Sequence, residues 1–449
     1  MKKTFLFLVL FMALLVSAGE KLPKYIILFI GDGMSYPQRM IAEEYSVKMG
    51  MGKLAMNHLP FHATTRTSSA NSIITDSAAS GTAIACGVKT NNGMIGVDPG
   101  KKRLQSSAEL ARDKKWKVGI ISTMVINHAT PASFFGHRVS RQQYYDLGLD
   151  LIDSNFDFFA GGGIRQVQGK GKVKDLFKRP DLYELARKKG YKTLNSKKEF
   201  MALKPGCGKV IYSAAPGYMI PDMDTPADGT TLADMTVKAL ELLKNPKGFF
   251  LMVEGGAIDS FGHGNAPRGN IGETLALDKA VKAALAFQKK HPEDTLIIVT
   301  ADHETGGMTM GVAGTGYAMY PERLAHQKVS EGEFGKIVAN ELKKNPKLTF
   351  ADARKLLTKY FGLKFTGDIK KDPMVVSKAQ LQILADGFKK KRLHYAARTV
   401  MSQKAGIGWT TSGHTALPVL TTATGVQAQR FTGFIENTDI SKKIKALIR

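Results

Sequence analysis

Three short apolar runs, each ending on an acidic or histidine side chain, constrain this chain more than any other feature. In "YIILFIGDGMS" six apolar residues lead through a glycine to Asp32. In "GFFLMVEGGAIDS" the run ends at Glu254, and in "TLIIVTADHETGG" at Asp302 and His303. A continuous apolar run of strand length is buried on both faces, as parallel strands inside a layered sheet are. Helical patterns such as "SSAELARDKKW" and "TLADMTVKALELLKN" lie between the runs. That alternation predicts an α/β fold, a three-layer αβα architecture around a large, mostly parallel central sheet. Ligands of such sheets bind beyond the carboxyl ends of the strands, which is where Asp32, Glu254, Asp302 and His303 fall.

The stretch 314–405 follows another pattern. It lacks buried-strand runs and holds helix-like pieces, "GEFGKIVANELKKN", "TFADARKLLTKYFG" and "SKAQLQILADGFKKKRLHYAARTVM", the last opening on a Ser377…Gln380 capping box. It reads as a mostly helical, basic insertion. The chain has 449 residues and no low-complexity linker, and one domain over 20–449 is expected.

The opening "MKKTFLFLVLFMALLVSAGE" has a Lys2-Lys3 start, an apolar core and small residues at 17–19. It reads as a signal peptide over 1–19, so the mature protein is expected to be exported, periplasmic or secreted. No later stretch has the length and apolarity of a membrane span. Cys86 and Cys207 are too far apart in sequence to be paired by inspection, and Cys86 sits in a run of small residues as a packing residue would. A formal net charge of +25 favours anionic ligands in general. The basic runs "GKGKVKD" at 169–175 and "FKKKRLH" at 388–394 carry no nucleic-acid motif and read as solvated faces.

Further candidates cluster around the strand ends. Asp259 and His263 are four apart and share one face of a helix or turn. Carboxylates and imidazoles gathered at several buried strand ends repel or stay unsatisfied unless a cation joins them, and Asp and His are ligands that zinc accepts. "SIITDSAASGTAIACG", at 72–87, reads as a strand turning into a helix. Thr75, Asp76 and Ser77 can each cap that helix. Ser77 can equally be a nucleophile activated by a metal ion at the helix N-terminus.

Six blocks in one order now carry a resemblance: "FIGDGM", "TDSAASGTA" with "GVKTNNGMIGVD", "HATPASFFGHRVSR", "VEGGAIDSFGH", "TADHETGG" and "SGHT". Together they resemble the alkaline phosphatases, from about Tyr25 to the C-terminus. The resemblance implies two zinc ions and one magnesium-type ion. Ser77 matches the serine that becomes phosphorylated and whose oxygen meets a zinc held by Asp32, Asp302 and His303. Asp259, His263 and His414 match the ligands of the other zinc, while Asp32, Thr130 and Glu254 match the third site. Arg141 matches the arginine that grips phosphate oxygens. Two positions depart from the best-known bacterial pattern. His128 stands where that has an aspartate, as in the animal enzymes, and Ser260 stands where it has a lysine. Both lie near the third metal and the phosphate in the family, which makes them candidate substrate contacts.

The expected protein is therefore an exported, metal-dependent phosphomonoester hydrolase working through a phosphoserine. Small phosphate monoesters and inorganic phosphate are its ligands, with no specific nucleic acid. A homodimer is what the resemblance implies. A phosphodiesterase or phosphonate monoester hydrolase of the same superfamily is the nearest alternative, disfavoured by serine rather than threonine at 77. Cys86 followed by Gly-Val-Lys does not fit the sulfatase pattern. A non-catalytic basic protein that holds anionic polymers is the other alternative, and the filled set of site residues argues against it.

Overall fold

A computed structural model describes residues 21–167 and 179–449; the leader over 1–19 and the basic run at 169–175 lie outside the described residues. Eight strands come first, β1 (Tyr25–Gly31), β2 (Phe61–Arg66), β3 (Lys117–Ser122), β4 (Phe158–Gly161), β5 (Tyr191–Leu194), β6 (Lys209–Ser213), β7 (Phe249–Gly255) and β8 (Thr295–Ala301). Four short ones follow, β9 (Glu304–Thr305), β10 (Met308–Met310), β11 (Ile407–Trp409) and β12 (His414–Thr415), and then β13 (Val419–Gly425) and β14 (Gly433–Glu436). The long strands form one ten-stranded sheet in the order β14-β2-β13-β8-β1-β7-β3-β4-β6-β5. Only β13 runs against its neighbours; every other ladder is parallel.

The three apolar runs are the centre of this sheet. All seven residues of β1, β7 and β8 are buried. Alternate side chains divide between two cores: Tyr25, Ile27 and Phe29 face one layer of helices, and Ile26, Leu28 and Ile30 face the other. The parallel register sets Gly31 of β1 opposite both Gly255 of β7 and Ala301 of β8. Asp32 and Asp302 therefore leave the sheet at one level, with Glu254 one step inside it.

The stretch 314–405 contributes no strand to the sheet. Its long helices are Glu331–Lys344, Phe350–Phe361, Lys378–Lys389 and Leu393–Ala405. The Ser377…Gln380 capping box is present. The third piece, one helical pattern in the sequence, is a hairpin of two helices instead. The chain reverses at Lys391, whose φ is 56°. Gly387 permits the close crossing that follows, since a Cβ there would come within 2.4 Å of Ala396 Cβ. Burying Leu384 and Leu393 in the shared core outweighs continuing a straight helix.

The expected strand before Ser77 does not form. Residues 72–76 are a loop, and Ile73 is 73% exposed. Side chains satisfy this backbone instead of a ladder: Asn92 Nδ2 donates to Ile74 O at 3.0 Å, and Asn92 Oδ1 accepts from Asp76 N at 3.0 Å. Both cysteines are free, Cys86 buried and Cys207 half-buried.

Candidate active site

The helix Ser77–Cys86 is capped by Asp76, whose side chain accepts from Ala79 N at 2.9 Å. That choice releases Ser77, the first helical residue, from capping. Its Oγ lies 3.1 Å from His303 Nε2. The other Asp76 oxygen accepts from Arg141 Nη1 at 3.0 Å, so one carboxylate starts the helix and aims the arginine toward the same end of the sheet.

His303 Nε2 also lies 3.3 Å from Asp32 Oδ1 and 3.2 Å from Asp302 Oδ2. The tautomer follows from Thr305. Its hydroxyl donates to Asp259 Oδ1 at 2.5 Å, so at 3.2 Å it accepts from His303 Nδ1. Burial, reinforced by His414, holds the His303 pKa well below its usual value. A neutral imidazole protonated at Nδ1 presents a lone pair at Nε2. That lone pair faces two carboxylates and a hydroxyl, an arrangement that repels itself unless a cation sits among the four atoms.

Asp259, His263 and His414 converge nearby. The helix Ala257–His263 sets Asp259 and His263 on one face, with His263 Nε2 3.3 Å from Asp259 Oδ1. His414 Nε2 lies 3.1 Å from His263 Nε2 and 3.5 Å from Asp259 Oδ1. Each ring is anchored by its far nitrogen, His263 Nδ1 donating to Ser412 O at 2.6 Å and His414 Nδ1 to Thr75 O at 2.8 Å. This is the outer-shell arrangement that orients metal-binding imidazoles. The ladder of β9 with β12 brings His414 in, pairing it with Thr305. Gly33 allows the tight fit here, for a Cβ on it would lie 2.7 Å from Thr305 Oγ1 and 2.9 Å from Asp259 Cα.

Deeper in, Thr130 Oγ1 donates to Asp32 Oδ2 at 3.3 Å, and Ser122 Oγ donates to Glu254 Oε2. Asp32 Oδ1, Asp302 Oδ2, Glu254 Oε1 and His128 Nδ1 are buried and make no hydrogen bond. Burial pushes Glu254 up to about 8 and Asp302 up to about 7, and raises Asp32 through burial and the Asp302 charge. Asp259 is the exception. Burial works to raise it, but hydrogen bonds from His263 and His414 hold it well below the carboxylate range. His263 is correspondingly pushed up to about 9 by Asp259.

The ligand-type atoms form three groups within metal-binding distance of one another: Asp259, His263 and His414; Asp32, Asp259 and His303; and Asp32, His128 and Glu254. All are oxygen and imidazole donors, the set suited to zinc and magnesium. The first matches one expected trio. In the second, Asp259 joins Asp32 and His303, while Asp302 stays close through its contact with His303. In the third, His128, expected to meet substrate, stands with the carboxylates, and Thr130 reaches the same group through Asp32. Ser260 is the outlier: exposed, with its Oγ toward Met124 Sδ at 4.0 Å, it bonds to none of these groups. The sequence did not single out Thr305, Ser122 or Asn127, because a hydroxyl or amide within a strand or turn has no periodic signature. Asp76 was named only as a cap, although its place one residue before Ser77 hints at its second role.

Comparison with known proteins agrees with this geometry. The family model described as "Alkaline phosphatase" matches residues 23–449. Alkaline phosphatase 3 of Bacillus subtilis is 32% identical over 439 residues, covering 94% of this chain and 89% of that protein. The Escherichia coli alkaline phosphatase is 35% identical over 341 residues, 65% of this chain and 72% of that protein. Among solved structures, the cold-active alkaline phosphatase of Shewanella sp. superposes with a TM-score of 0.80 at 28% identity, covering 95% of this chain and all of that one. A histidine-to-aspartate variant of TAB5 alkaline phosphatase, with magnesium bound in its M3 site, gives a TM-score of 0.68 at 26% identity, covering 96% and 99%. Because the family match takes in nearly the whole described chain, the protein belongs to the alkaline phosphatase family and is a phosphoric monoester hydrolase.

Proposed function

We propose that this phosphatase is an exported enzyme that works through a phosphoserine at Ser77, with two zinc ions and one magnesium-type ion bound among the three ligand groups. The observation that carries the reading is His303 Nε2, which faces Ser77 Oγ at 3.1 Å together with two buried carboxyl oxygens that make no hydrogen bond. Asp32, Asp302 and His303 would hold one zinc; Asp259, His263 and His414 the other; Asp32, Thr130 and Glu254, joined by His128, the third ion. Bound there, such ions lower the pKa of an attacking oxygen and neutralise charge that develops on phosphorus ligands.

The chain's own groups do the rest. Ser77 Oγ sits at a helix N-terminus, where unpaired amides and the dipole favour a developing negative charge. It attacks phosphorus in line; the Oγ–P bond forms, the ester P–O bond breaks, and the alcohol leaves with a proton. Water then attacks phosphorus, and the Oγ–P bond breaks to return the serine hydroxyl and release phosphate. Arg141 has one N–H committed to Asp76, which fixes its plane and leaves the other donors for phosphoryl oxygens. Ser260 brings no charge to the phosphate. The leader over 1–19 supports export, and the folded unit over 20–449 is read as a single catalytic domain.

Acid-quenching the enzyme during turnover of a 32P-labelled monoester tests the covalent step. Wild type should retain label on serine, and Ser77→Ala should retain none and lose turnover by about 10³-fold or more. Unchanged turnover in Ser77→Ala overturns the covalent reading, and faster cleavage of a diester than of the monoester overturns the substrate class.

A further inference from the structure

Near His128, on which Arg141 also acts, stands a second arginine that the proposed reaction does not use. Asn127, fully buried, fastens it in place. Asn127 Nδ2 donates to Tyr144 O at 2.7 Å and to Arg165 O at 3.1 Å, while its Oδ1 accepts from Arg165 N at 2.9 Å. The Arg165 guanidinium lies over the buried Tyr144 ring, 4.3 Å from its centre, and Nη1 donates weakly to the Tyr218 hydroxyl at 3.5 Å. The other arginines of this region have carboxylate partners, Arg138 with Asp150 and Arg141 with Asp76. Among the described residues Arg165 has an aromatic face and a phenol, and no carboxylate. Most of its five N–H donors are unclaimed among the described residues.

Tyr218 is held as firmly. Its loop is pinned on both sides, by Gly163 N donating to Gly217 O at 2.8 Å and by Met219 N donating to Thr123 O at 3.0 Å. Gly162 and Gly163 make the approach possible, since a Cβ on Gly162 would lie 2.1 Å from Gly217 O and one on Gly163 2.5 Å from Pro216 O. The ring stands edge-on to His128 with centres 6.4 Å apart, yet Tyr218 remains 51% exposed. Arg141 and Arg165 both act electrostatically on His128. Arg141, His128, Tyr218 and Arg165 therefore form an arc that begins at the phosphate-gripping arginine and opens to solvent at its far end.

We propose that Arg165 and the Tyr218 hydroxyl form a second anion subsite, which favours phosphate monoesters whose leaving group carries a second phosphoryl group. The proposal rests on the phosphatase reading of the Ser77 site and names its substrate class. A guanidinium fork with a phenol beside it offers more than two donors, which suits the three oxygens of a terminal phosphoryl group. The Asn127 clamp fixes the Arg165 backbone and stacking on Tyr144 orients the guanidinium, so less side-chain entropy is lost on binding.

The test compares kcat/KM for 3-hydroxypropyl phosphate and propane-1,3-diol bisphosphate in the metal-loaded enzyme. Two equivalent phosphates alone give a ratio of about twofold, and one charge-assisted contact raises it to about tenfold or more. Wild type should show the larger ratio, carried mainly by KM. Arg165→Gln, which keeps a planar polar side chain without the charge, should return it to the statistical value, and Tyr218→Phe should lower it in part. Should wild type and Arg165→Gln share one ratio, the subsite is overturned while the phosphatase reading stands. If wild type hydrolyses neither ester, it is the phosphatase reading that falls.

Discussion

Glu254, in β7, and Asp259, in the helix that follows it, lie five residues apart and meet opposite environments. Asp259 shares its Oδ1 with His263, His414 and Thr305, stays ionised, and sits under a histidine whose side chain is 43% exposed. Glu254 is sealed in with Asp32 and Asp302, has one oxygen without a partner, and is pushed up to about 8 by burial. The rim group is thus balanced by its own imidazoles, whereas in the deep group little offsets the charge of an ionised carboxylate, and the carboxyl pKa values rise. Uncompensated buried charge is far costlier than a half-exposed ion pair, so the two groups should respond differently when a cation or a ligand is removed.

The largest expected effect contrasts the two carboxylates directly. Asp259→Asn should lower kcat/KM by about 10³-fold or more, because Asp259 belongs to two of the three ligand groups. Glu254→Gln should cost about 10- to 100-fold, through weaker metal retention. In the metal-free state the ranking should invert, with Glu254→Gln raising the thermal midpoint and Asp259→Asn lowering it. Calorimetry of chelated protein reads this, and equal shifts in one direction would dissolve the distinction between rim and depth.

Thr305→Val comes next. It removes the hydroxyl that joins Asp259 to His303 without emptying the space. Zinc affinity measured by competition with a chromogenic chelator should fall about 10-fold, the usual scale for outer-shell partners. No loss would mean that His303 keeps its tautomer without Thr305.

The smallest effect comes from a buried carboxylate outside both groups. Glu273 accepts from Asp222 N at 2.7 Å, and burial, helped by Asp222 and Asp224, pushes it up to about 7. A carboxyl whose folded pKa exceeds its unfolded value contributes stability that is complete below about 4.5 and lost as pH rises through about 7. Glu273→Gln should therefore gain roughly 1–3 °C relative to wild type between pH 5 and pH 8, and added zinc should not alter the gain. A zinc-dependent gain would place Glu273 in communication with the site and weaken the contrast.

The centre of the fold was legible because β1, β7 and β8 are buried on both faces and their sequences say so. The strand-end residues followed at once, since parallel register aligns whatever comes next. Other parts depend on tertiary context that no local pattern records. Ile73 and Ile74 look like strand residues but are exposed in a loop that Asn92 satisfies. Lys391 adopts a left-handed conformation with no glycine to announce it. His128 could be noted as unusual at its position, yet its place among Asp32 and Glu254 emerges only when the turn after β3 folds over β7. The choice of Asp76 over Ser77 as cap depended on Arg141, 65 residues away.

The antiparallel strand β13 also fixes a timetable. β2 is made more than 350 residues before its neighbours in the sheet, β13 and β14 (Phe61 pairs with Ala423, 362 positions on). His414 arrives just ahead of them, so the rim group is incomplete until residue 414 is present. Closing contacts across such sequence distances is slow, and an orphan strand edge is exposed in the meantime. A nascent chain therefore cannot acquire a complete site before His414 has emerged, and β2 stays unpaired until β13 and β14 follow.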